Sequence, residues 1–265
     1  MSRPLSGQAA LAAEIGEQRF NADWRGPEHR FRRLLAEFIG TAGLTFVLSA
    51  GAAILVLHGG IKVEPIIAAF ILSAISALWL VVAVYALGDI SSHFNPAMTL
   101  AFTVRRDMGW PMCGVYVVVQ CVAAAAGSFL ARGFFGIEGN LAATVPQPGQ
   151  ALQAVAFEAI LTFGMVLMVL SMANGPKLNG QFIPLCVGAY VMGLGTLGGP
   201  YEGAAMNPAR AFGPDLARGD LSTLWVYIVG PVAGALVAVL VAGVFRGPAK
   251  AQEARAAMGT PRAES

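Results

Sequence analysis

Residues 91–99 read Ser91-Ser92-His93-Phe94-Asn95-Pro96-Ala97-Met98-Thr99, and residues 203–210 read Gly203-Ala204-Ala205-Met206-Asn207-Pro208-Ala209-Arg210. The tripeptide Asn-Pro-Ala therefore occurs twice, 112 residues apart. Each copy opens a moderately apolar stretch, 95–104 and 207–217, only about half as long as the roughly 20 residues a helix needs to cross a bilayer. Asn is a strong helix N-cap. Proline suits the first helical turn, where its missing N–H would be unpaired anyway. The two stretches read as half-helices that enter a membrane and stop.

Around them lie six longer apolar stretches, at about 34–57, 66–88, 111–131, 151–173, 182–200 and 221–245. Four carry no charge; the first and fourth carry one each, Glu37 and Glu158. The whole chain of 265 residues is 56% hydrophobic and only 12% charged, against about 25% charged in an ordinary soluble domain. So little charge cannot cover a water-soluble globule, and a net charge of +2 offers no field for nucleic acid. Cys113, Cys121 and Cys186 are an odd, widely spaced set inside apolar stretches, which fits neither a disulfide framework nor a metal site. No metal and no cofactor is expected. Residues 1–33 are polar, mixed in charge and lack a 7–15-residue apolar core, so they read as a tail and not as a cleaved signal.

Charge placement orients the chain. With both termini cytoplasmic and each half-helix returning to its side of entry, 13 of the 17 Lys and Arg fall inside. Only Lys62, Arg132 and Arg218 fall outside, and Arg210 lies in the second half-helix. That is the expected bias of cytoplasmic loops. The chain also repeats itself: Ala36-Glu37-Phe38-Ile39-Gly40-Thr41 is echoed by Phe157-Glu158-Ala159-Ile160-Leu161-Thr162, each upstream of an Asn-Pro-Ala. Three crossings plus a half-helix is an odd number, so the repeats have opposite orientation. Inverted repeats with broken helices meeting near the midplane are a transport architecture.

With its paired motifs, paired glutamates, six spans and two half-helices, the region from about Arg32 to Phe245 resembles the aquaporin, or major intrinsic protein, family, in its bacterial type. The resemblance implies an all-α integral membrane fold in which Asn95-Pro96-Ala97 and Asn207-Pro208-Ala209 meet in a pore. Each Asn side-chain oxygen would cap its own helix, leaving the amide N–H2 as an outward donor. Two positive dipole ends at one point favour a neutral hydrogen-bonding solute and oppose a cation. Arg210, a basic residue inside a membrane segment, becomes the arginine of the outer constriction. Glu37 and Glu158 would brace the unwound loops, whose backbone groups need partners inside the membrane. His93 fits a strut of the first pore loop.

Counting without gaps from the motifs places the other constriction residues at Ile75, Gly195 and Ala204, a ring with no aromatic and wider than a water-specific one. Tyr227-Ile228 stands where water channels tend to have Phe-Trp, which points to solute conduction. Ala211 departs from glycerol facilitators, which have Asp after the arginine. Ala123-Ala124 after Gln120, and Gly230 with Gly234, are small-residue packing points. Glu202 reads as a solvated loop charge near the outer mouth.

The expectation is a passive channel for water and small uncharged solutes such as glycerol or urea, in the cell membrane, with a homotetramer implied by the resemblance. Its domains would be a cytoplasmic tail at 1–33, a channel at 34–246 (repeats about 34–132 and 151–246) and a cytoplasmic tail at 247–265. The rivals are a proton-coupled transporter using Glu37 and Glu158, and a poorly conducting structural membrane protein. A membrane enzyme is weakest, since no nucleophile–base pair lies within the spans.

Overall fold

A computed structural model describes residues 27–58, 63–173 and 182–247. Lys62, Lys177 and the tails at 1–26 and 248–265 lie outside the described residues, and with them most of the charge asymmetry. The elements are α1 (Pro27–His58), α2 (Pro65–Leu87), the half-helix α3 (Pro96–Val104), α4 (Trp110–Phe135), α5 (Ala151–Ala173), α6 (Ile183–Glu202), the half-helix α7 (Pro208–Arg218) and α8 (Val226–Arg246). Six of them are long and apolar enough to span a membrane. Among the described residues the fold is all-helical, with six spans and two half-helices.

Boundaries shift in both directions. Helix α1 begins at Pro27, seven residues before the apolar stretch starts, because its first turns are charged and helical at once. Helix α8 begins at Val226 instead of 221, after a turn at 221–225. Pro200 is carried within α6, whose last turn runs on to Glu202.

The helices pair in the order the repeat dictates. In the first repeat α1 packs along α4; in the second α5 packs along α8; and α2 of the first meets α6 of the second. Small residues set these approaches. A Cβ at Gly127 of α4 would lie 2.1 Å from the Ala42 carbonyl oxygen, and one at Gly234 of α8 would lie 2.2 Å from that of Ala159. Half-helix α7 packs on α4 of the other repeat and α3 on α8, so each repeat's broken helix is seated partly by its counterpart.

The polarity is that of a membrane protein. Leu152, Leu240 and Val244 are 74%, 71% and 83% exposed, while Glu37, Glu158, Gln120 and Thr99 are fully buried. Apolar side chains facing outward and polar groups paired inside suit lipid, where an unpaired backbone or side-chain group costs several kcal/mol. The connector between the repeats includes a turn in which Gly139, Asn140, Leu141 and Ala142 all take the left-handed conformation, with φ of 58°, 52°, 52° and 57°.

Candidate functional site: a lined cavity at the meeting of two half-helices

Both half-helices are capped as their sequences require. Asn95 Oδ1 accepts from the Ala97 N–H at 2.9 Å, and Asn207 Oδ1 from the N–H groups of Ala209 and Arg210 at 3.0 and 3.2 Å. The amide ends are not both simply outward. Asn95 Nδ2 donates to the Met206 carbonyl and Asn207 Nδ2 to the Phe94 carbonyl, each at 2.8 Å. A primary amide has two hydrogens, so each Asn spends one on the opposite loop and keeps one for the cavity that both line.

The loops before the half-helices are held by the paired glutamates. Glu37 accepts from the Ser91 hydroxyl and the N–H groups of His93 and Phe94, all at 2.7 Å, and from the Gln120 amide at 2.8 Å. Glu158 accepts from the N–H groups of Ala205 and Met206. Phe94, Ala204 and Met206 have φ of 49°, 48° and 52°, a left-handed conformation costing a non-glycine residue about 1–2 kcal/mol. Charge-assisted hydrogen bonds offset that strain. Gly203, at φ 99°, is where the second loop passes so close to Thr144 that a Cβ would lie 2.7 Å from it.

His93 stacks on Phe102 with ring centroids 4.7 Å apart, and its Nδ1 lies 3.1 Å from Thr99 Oγ1. Arg210 is 8% exposed; its Nη1 donates to the Ala142 carbonyl at 2.9 Å, an oxygen presented by the left-handed turn.

His93, Phe102, Ala142 and Arg210 border one cavity of about 460 Å³. Its lining follows α2 from Pro65 to Val84 and α6 from Ile183 to Pro200. The nineteen helical steps from Pro65 to Val84 rise roughly 28 Å, close to the roughly 30 Å of a bilayer's hydrocarbon core. One end is walled by Arg210, Ala204, Gly199 and the Ala142–Ala143 turn; the other by Val84, Val169, Ile183 and Val187.

Asn95, Asn207, His93, Gly195, Ala204 and Arg210 all border the cavity; Ile75 does not. Its side chain packs on α1, where a Cβ at Gly51 would lie 3.2 Å from Ile75 Cδ1. Ser73 and Ser76 take its place on the cavity wall. The ungapped count runs through a non-helical connector that turns at 88–91, where Ile90 and Ser91 donate to the Leu87 carbonyl. One residue of difference there rotates the assignment on α2 by about 100°. Ser73 and Ser76, three apart in an apolar span, were the available signal for a polar face.

Glu202 is also placed differently from its expected position as a solvated charge. It is 1% exposed, accepts from the Ala204 N–H at 2.9 Å, and offers its own carbonyl to the Tyr227 hydroxyl. Gln120 does more than mark a packing point, since its amide serves Glu37 and Thr99 together.

Residues 25–242 match the family model described as Major intrinsic protein. Aquaporin NIP1-1 of Oryza sativa subsp. japonica is 34% identical over 251 residues, 91% of this chain and 86% of that protein. Nodulin-26 of Glycine max is 35% identical over 224 residues, 81% and 78% of the two chains. The expectation of a bacterial type is not borne out by these relatives, which are plant proteins. Among solved structures, the aquaglyceroporin from Plasmodium falciparum superposes with a TM-score of 0.68 at 21% identity, covering 79% of this chain and 94% of its own.

Proposed function

Because the chain belongs to the major intrinsic protein family, we propose that its cavity is a passive pore for water and small uncharged solutes of glycerol or urea size, closed to ions and protons. The observation that carries the reading is the cavity itself. It runs about the thickness of a hydrocarbon core and is crossed at one point by two capped helix N-termini, each with an Asn amide.

Two positive helix ends facing each other raise the energy of a cation there. A neutral solute keeps its hydrogen bonds by exchanging water for the amides of Asn95 and Asn207 and for loop carbonyls. Arg210 adds a fixed positive charge and further donors at one end. Small residues share the wall with it: Gly195, Ala204, Ser73 and Ser76 hold no aromatic ring, which supports passage of molecules larger than water. Glu37 and Glu158 read as braces for the loops and not as a proton relay, since both carboxylates accept backbone N–H groups. We further propose a homotetramer in the cell membrane with both termini in the cytoplasm, in keeping with the expected excess of Lys and Arg on that side.

Stopped-flow shrinkage and reswelling of proteoliposomes tests the reading. Fast water flux with reswelling in glycerol or urea is the expected result. Water flux with both solutes excluded would refute the wide wall, and no flux at all would favour a structural role.

A further inference from the structure

The two repeats brace their pore loops with unequal numbers of donors. Glu37 accepts four hydrogen bonds, two from backbone N–H groups and two from the side chains of Ser91 and Gln120. An ionised carboxylate offers about four acceptor sites, so this one is full. Among the described residues Glu158 accepts two backbone bonds, and no hydroxyl or amide side chain donates to it. A second carboxyl group, that of Glu202, is its neighbour instead: Glu202 Oε1 and Glu158 Oε1 accept from the consecutive backbone N–H groups of Ala204 and Ala205. Glu202 Oε1 is engaged by the Ala204 N–H, while its Oε2 is buried and meets no donor among the described residues. Two bare carboxylates in contact out of water would repel. With one hydrogen between them, the same two groups attract and fill an open acceptor site.

We propose that Glu202 is a positioning residue of the second pore loop, donating the hydrogen of its Oε2 to Glu158 in the role that Ser91 and Gln120 fill in the first repeat. Through Oε1 it fixes the backbone of Ala204, whose left-handed conformation sets part of the cavity wall beside Gly198 and Arg210. Its backbone carbonyl is pinned from α8 by Tyr227. Glu202 therefore ties the brace, the wall and the last span together, and its loss acts on solute choice through the loop. The inference rests on the channel reading above.

The test uses the full chain in proteoliposomes, as the wild type, Glu202→Gln and Glu202→Leu. Glutamine keeps an oxygen for Ala204 and supplies an N–H for Glu158; leucine keeps the bulk and supplies neither. The expected result is that Glu202→Gln keeps water flux and the glycerol-to-water ratio within about twofold, while Glu202→Leu shifts that ratio by about tenfold, the scale of one lost buried hydrogen bond. Infrared spectra should show a buried carboxylic-acid C=O band in the wild type that Glu202→Gln lacks. The proposal is overturned if glutamine is as damaging as leucine, if neither variant changes the ratio, or if the band is absent from the wild type or persists unchanged in Glu202→Gln. Should the leucine protein not fold, the infrared comparison and the glutamine fluxes still decide. Absence of flux from the wild type would sink the channel reading and leave the infrared result standing.

Discussion

Asn95 and Asn207 each donate to the carbonyl of the residue that precedes the other, Asn95 to Met206 and Asn207 to Phe94, at the same 2.8 Å. The half-helices are thus locked crosswise at the point where their positive ends face each other. Replacing either Asn with Ala removes a cap, worth about 1 kcal/mol, and leaves a buried carbonyl unpaired at about 1–3 kcal/mol. Each single variant should lower the unfolding temperature in detergent and reduce water flux. Because both bonds serve one junction, the double variant should cost less than the sum of the singles, by about 0.5–3 kcal/mol in a double-mutant cycle. Strict additivity would mean that the crosswise pair is not a unit.

Arg210→Val removes a fixed cation from the cavity wall and frees the Ala142 carbonyl. Cation or proton leak across loaded vesicles should rise while water flux persists. An unchanged leak would show that the barrier lies wholly at the half-helix ends.

Gly195 faces Ser73 so closely that a Cβ would lie 2.5 Å from Ser73 Oγ. Gly195→Val should narrow the wall and cut glycerol and urea flux by about tenfold or more, with a smaller loss for water, since pore diameter is a main determinant of such selectivity. Equal losses for all three would place the narrow point elsewhere.

Gly234→Leu tests the packing of α8 on α5. A Cβ there would lie 2.2 Å from the Ala159 carbonyl oxygen, a contact that only backbone movement can relieve. Overpacking of this kind typically costs about 1–3 kcal/mol, read as a lower unfolding temperature in detergent. Because a Cβ at Gly230 of the same face would lie 2.6 Å from Glu158 Cβ, flux should fall together with stability.

Architecture was legible in the sequence because it is written in coarse signals: six apolar stretches, two Asn-Pro-Ala copies and two glutamates at matching places. The braces were legible for the same reason, since a carboxylate in a span demands a partner. What escaped depends on finer geometry. Ile75 and Ser76 are adjacent in sequence and about 100° apart on the helix, so a one-residue slip in the 88–94 connector exchanges a packing residue for a wall residue. Glu202 looks solvated because it neighbours Pro200 and Gly203 at a helix end; only the tertiary approach of α5 and α8 buries it. The Ala142 carbonyl could not be foreseen, because backbone oxygens carry no residue-type signal.

The left-handed turn at 139–142 belongs to neither repeat, yet Ser49 of α1 holds its Leu141 carbonyl at 2.9 Å and Arg210 holds its Ala142 carbonyl. The segment that joins the halves is therefore a ruler as well as a tether. Lengthening or shortening it moves the carbonyl against which the arginine is set, so a change in an outwardly unremarkable linker would be felt at the entrance. Variation in permeability among otherwise similar pores can then arise from connector length alone, with every wall residue unchanged.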